Sequence, residues 1–120
     1  MTYSHRHLAW LALATAFNAY AAPRQVDVQE TLAACTTPAV QFPAGAQKEH
    51  IEGRVVVYTA VDVHGNVSET RITRSSGSIL LDKAAVHAAR AIKCAPFSAP
   101  NTGGAEPVYF LKPFVFERVK

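Results

Sequence analysis

The chain has 120 residues, 49% of them hydrophobic, and 12 Lys and Arg against 9 Asp and Glu give a net charge of +3. That length holds one domain. The basic residues (Arg24, Lys48, Arg54, Arg71, Arg74, Lys83, Arg90 and Lys93 among them) are scattered, without the run or stripe of a nucleic-acid tract, so the charge reads as ordinary solvated surface and nucleic acid is not expected as a partner.

Residues 1–7 are polar and include Arg6; LAWLALATAF at 8–17 is apolar and uncharged; Asn18-Ala19-Tyr20-Ala21 then supplies an Ala-x-Ala site. This order predicts a signal peptide over residues 1–21, cleaved after Ala21, and therefore an exported protein. Read instead as a retained anchor, the stretch 8–22 has 15 residues, short of the roughly 20 that cross a bilayer as a helix. Cys35 and Cys94 are the two cysteines, and an even count in an exported chain favours a disulfide, with two unpaired buried thiols as the alternative. The closed loop would contribute roughly 4 kcal/mol on the chain-entropy estimate.

Residues 22–37 form a lead-in with little periodicity, apart from VDVQETLAAC, which is compatible with a helical turn or two. Pro43 suits the first position of a short helix over 44–50, where its missing donor costs nothing. From Gly53 the period changes: Val55, Val57, Thr59, Val61 and Val63 share one face, and Arg54, Tyr58 and Asp62 the other. That is a half-buried strand. His64-Gly65-Asn66 turns it, and a return strand over 67–74 needs a bulge to reconcile Val67 with Ile72. Ser78 caps a helix with Leu81, Ala84, Ala85, Ala88 and Ile92 on its stripe, Asp82 in its first turn and Cys94 at its end. Residues 97–107, with Pro100 and Gly103-Gly104, read as a loop. The last strand covers 108–118, and Pro113 within it predicts a sheet edge or a bulge.

These elements resemble the C-terminal domain of the TonB energy-transducer family, residues 38–120 being the matching domain. The resemblance rests on Phe42-Pro43-x-x-Ala46, Glu52-Gly53-x-Val55, Asp62-x-x-Gly65-x-Val67, Ser75-Ser76-Gly77, Leu81-Asp82-x-x-Ala85 and Pro113-x-x-Phe116 in that order. It implies an α+β fold of two layers: a three-stranded antiparallel sheet, made of a hairpin and a C-terminal edge strand, with a long helix on one face and a short N-terminal helix. It also implies a periplasmic domain that binds envelope proteins, outer-membrane receptors among them, by strand addition in association with TonB-type transport. The partner-binding residues are then Val108, Tyr109, Phe110, Leu111, Lys112 and Phe114. The same edge would let two copies pair as a homodimer. A disulfide between Cys35 and Cys94 is similar to that of a subset of these domains, tying the lead-in to the end of the long helix.

No enzymatic chemistry is expected, no cofactor and no small-molecule substrate. His50, His64 and His87 share no metal-ligand spacing. Ser76, Asp82 and His87 carry the names of a hydrolase triad, but Asp82 and His87 lie about 140° apart on a helix and face different ways. Two alternatives stand beside the interaction domain. A membrane-anchored energy transducer would require that the leader be retained. A small secreted inhibitor of a hydrolase would require a protruding apolar loop, whereas residues 97–107 are polar and Gly-rich.

Overall fold

The computed structural model describes residues 22–37 and 39–118. The expected signal peptide and its cleavage site lie outside the described residues. Six strands, β1 (Arg24–Gln25), β2 (Gly53–Val61), β3 (Val67–Arg74), β4 (Phe97–Ser98), β5 (Ala105–Glu106) and β6 (Val108–Phe116), combine with three helices, α1 (Val28–Ala34), α2 (Ala44–Lys48) and α3 (Ile79–Arg90).

The fold is α+β, but its sheet differs from the expected one. Four strands lie in the order β1-β6-β2-β3, with β1 parallel to β6 and the other neighbours antiparallel. The three-stranded antiparallel expectation therefore misses a strand supplied by the lead-in. The C-terminal strand is correspondingly not an edge along its whole length, because its start is enclosed between β2 and β1. Residues 97–106, expected as loop, fold into a small hairpin in which Phe97 pairs with Glu106 and Ser98 with Ala105.

β2 and β6 are in unbroken register from Gly53 opposite Phe116 to Val61 opposite Val108. The alternation of β-branched and aromatic residues places one side of each strand inward. β3 carries register shifts opposite the Val56/Val57 and Ala60/Val61 steps, which accounts for its broken parity. Val63 lies beyond β2 in the turn and is exposed.

α3 begins where Ser78 accepts the Leu81 amide and ends at Arg90, one turn before Cys94, so the helix is shorter than its apolar stripe suggested. Leu81, Ala85 and Ala89 are fully buried, and with Ala88 they pack on Val55, Val57, Phe114 and Phe116. Small side chains along this stripe let the helix lie close on the sheet. α2 closes the far end of that core through Ala46, with Pro43 as its N-cap residue and Phe42 edge-on to Phe116. A second cluster, Val26, Val61, Ile92, Phe97, Val108 and Phe110, sits under the lead-in.

Candidate functional site

A strand has two hydrogen-bonding sides, and successive residues serve them alternately. In β6 the Tyr109 carbonyl accepts the Val26 amide at 3.0 Å, so Tyr109 serves the side away from β2. Leu111, Pro113 and Val115 share its parity and face the same way. Pro113 thus sits where its missing N–H deprives β2 of nothing, which explains its place opposite Val56 in a continuous ladder. β1 covers this outer side only opposite Val108 and Tyr109. Among the described residues no strand covers it from Leu111 onward.

The sheet's other border, β3, carries Glu69, Arg71 and Arg74, charges of the kind that discourage edge pairing. The outer side of β6 is different. Leu111 is 46% and Val115 57% exposed, and beside them α1 presents Val28 and Leu32, 71% and 63% exposed. α1 buries no residue of its own. Between helix and strand runs a groove of about 300 Å³, walled by Val28, Thr31, Leu32, Leu111 and Pro113. Its shape is that of a slot with one hydrogen-bonding wall and one apolar wall.

The helix that forms this wall is capped at its start and anchored at its end. Asp27 accepts the Glu30 amide at 2.8 Å while the Glu30 carboxylate accepts the Asp27 amide at 3.0 Å, a reciprocal cap. At the other end Cys35 is bonded to Cys94, and the chains run antiparallel there, with Thr36 N–H donating to Lys93 and Ala95 N–H to Ala34, both at 2.8 Å. Cys94 N–H also donates to Gly65 O at 2.9 Å. The β2–β3 turn is thereby stitched to the same point, and a Cβ on Gly65 would lie 1.8 Å from the Cys94 carbonyl.

The predicted partner-binding residues divide on this geometry. Leu111 presents both its side chain and its outward backbone groups. Tyr109 faces outward, but its carbonyl is already taken and its hydroxyl donates to Gln25 at 3.2 Å. The side chains of Val108, Phe110 and Phe114 are buried, and the backbone groups of Phe110, Lys112 and Phe114 face β2. Pro113 and Val115, absent from the predicted set, lie on the outward parity. On the open sheet face Tyr109 stacks on Tyr58, and Arg71 covers the other side of the Tyr58 ring at 4.2 Å, so these rings are occupied by each other and by the guanidinium.

The motif residues are structural. Gly53 opens β2, Gly65 and Gly77 hold positive φ in turns, and Leu81 and Ala85 lie in the core. Burial raises the Asp82 pKa, but hydrogen bonds from the Ser75 hydroxyl and from the Ser76 amide and hydroxyl outweigh it and hold the carboxyl below its ordinary value. These bonds brace the turn into α3, and His87 takes no part in them. Asp62 is also lowered, chiefly by the Asn66 amide and then by that of His64. Among the described residues no three His, Cys, Asp or Glu side chains form a metal-sized cluster, and no helix is long and apolar enough to cross a membrane.

Residues 38–117 match the family model described as the Gram-negative bacterial TonB protein C-terminal. The chain belongs to that family. The TonB C-terminal fold is also seen in the solution NMR structure of the Pseudomonas aeruginosa TonB C-terminal domain, which is 24% identical, covers 72% of this chain and 86% of that one, and superimposes with a TM-score of 0.56. No curated protein matches the chain significantly. The lead-in that carries β1 and α1 precedes the stretch matched to the TonB family model. Its helix is signalled in the sequence by VDVQETLAAC and by the Asp27-x-x-Glu30 spacing of a reciprocal cap, whereas the two-residue β1 leaves no periodicity to read.

Proposed function

We propose that this TonB C-terminal domain is a periplasmic interaction module which takes an extended segment of an envelope protein, such as an outer-membrane receptor, by strand addition to β6 from Leu111 to Val115. The observation that carries the reading is the partial cover of β6, nine residues long with β1 beside only two of them. Leu111 and Val115 offer outward N–H groups, and Leu111, Pro113 and Val115 offer carbonyls, a main-chain pattern that an extended peptide satisfies without a particular side chain. The apolar wall of α1 adds a place for the incoming strand's side chains. Residues 1–21 act as the export leader in this reading. A mass of the envelope-derived protein corresponding to a start at Ala22 supports that, and a species retaining residues 8–17 favours the anchored transducer.

The test is capture of envelope proteins by the intact domain and by a variant carrying Leu111→Pro and Val115→Pro. Both changes remove outward donors and leave the bonds to β2. Identified partners should be captured by the first and lost, by about tenfold or more, from the second. Equal capture by a double variant that still folds would overturn strand addition at this edge.

A further inference from the structure

We infer that Arg24, Gln25 and Val26 are a resident ligand of the docking edge, and that a partner segment reaching the first part of β6 displaces them and matches their pattern of a basic residue, an outward residue and an aliphatic residue. This rests on the strand-addition reading and names the partner chemistry for that edge.

The segment is attached as a guest strand would be. It lies parallel to β6, Arg24 opposite Val108 and Gln25 opposite Tyr109, across 84 residues of sequence. Its ladder with β6 is two residues long and is flanked by Arg24 N–H to Pro107 O at 3.4 Å and Val26 N–H to Tyr109 O at 3.0 Å. Its side chains alternate. Arg24 reaches Glu106 through Nε at 2.6 Å and Glu30 at 3.4 Å. Gln25 turns to the open face. Val26 is 3% exposed and packs in the second core cluster.

Arg24 and Val26 are therefore recognised by side chain as well as by backbone, while Gln25 accepts an exposed bond from the Tyr109 hydroxyl at 3.2 Å. The Glu106 side chain is only 20% exposed, and leaving it without a cation would strand a partly desolvated carboxylate. An aliphatic socket two residues further on would be left empty by a polar side chain. An incoming parallel strand that lacks a base at the first position and an aliphatic group at the third forfeits both contacts.

Departure of β1 also leaves its neighbour standing. α1 starts with its own cap at Asp27, which keeps its first turn formed, and is bonded at its far end through Cys35 to Cys94, so the helix stays folded and tethered when residues 22–26 lift away. The tethered strand stays close and competes at the millimolar effective concentration of a short linker, which lowers the apparent affinity of any partner for this part of the edge.

The probe is a synthetic peptide of residues 22–27, Ala-Pro-Arg-Gln-Val-Asp, titrated into the intact protein and into a variant carrying Arg24→Ala and Val26→Ala, with the Val108, Tyr109 and Leu111 amide shifts as readout. The variant should bind at least about tenfold more tightly than the intact protein, because its own strand no longer competes. A peptide with Glu in place of Arg should not bind the variant, and Glu106→Gln added to the variant should erase the preference for Arg. If the double variant fails to fold, Arg24→Ala alone should still bind the probe about threefold more tightly than the intact protein. Equal affinity for intact protein and variant, absence of binding to the folded variant, or shifts confined to residues beyond Leu111 would overturn the inference. Partner capture that depends on Leu111 while β1 stays in place would refute resident-strand displacement and leave strand addition standing. Displacement by the probe with no envelope protein lost from the proline variant would refute the functional reading instead.

Discussion

Gly65 shows how much one position can decide. Its φ is +87°, and the missing side chain makes room for the Cys94 carbonyl. Two penalties would act together on any other residue, left-handed strain of about 1–3 kcal/mol and a clash with backbone that cannot swing aside. Gly65→Ala should lower stability by at least about 2 kcal/mol in denaturant unfolding, well above the cost of a surface substitution. The turn itself was legible, because His64-Gly65-Asn66 interrupts an alternating strand with residues tolerant of positive φ. The reason that only glycine fits was not, since the obstructing carbonyl lies 29 residues further along the chain. Arg24 is similar. Nothing near it in sequence marks Glu106 as its partner.

The central elements were readable because each carries its own period. β2 and β6 alternate, α3 repeats its small and apolar residues every three or four positions, and the turns between them hold glycine or serine. β1 and the β4–β5 hairpin escape that reading: two-residue strands have no period, and only the surrounding fold decides that they pair. The covered start of β6 follows from the same cause, and so does the parity of the six residues expected to bind, four of which direct their backbone groups to β2, a division that could be set only once the Val26 amide was found on Tyr109. The start of α3 is held by the Asp82 carboxylate bridging to Ser75 and Ser76. Its pKa in the folded protein is below the ordinary value of about 3.9. The charged carboxylate therefore contributes stability that is fully present above about pH 5 and is lost as pH falls through the folded value. Unfolding midpoints measured from pH 7 to pH 3 should show the native protein converging on Asp82→Asn at the acid end, with a separation between them at neutral pH. Parallel curves would place the brace elsewhere.

For the whole molecule, the bond between Cys35 and Cys94 joins the lead-in, the end of α3 and, through Gly65, the β2–β3 turn. Its separation of 59 residues corresponds to about 4 kcal/mol of chain-entropy stabilisation, a large fraction of what a domain of this size holds. Reduction with a dithiol should lower the thermal midpoint by more than ten degrees, and hydrogen exchange should quicken first in α1, which buries no side chain to hold it. Exchange that quickens evenly throughout would show that the bond steadies the core and not the lead-in.

That bond also draws a closed covalent circuit around α2, β2, β3 and α3, and leaves β1, α1 and β6 outside it. A tug on either tail is consequently borne at the two sulfurs before it can lengthen the chain between them, so a pulled partner would meet a hub whose inner span cannot be drawn out to full length.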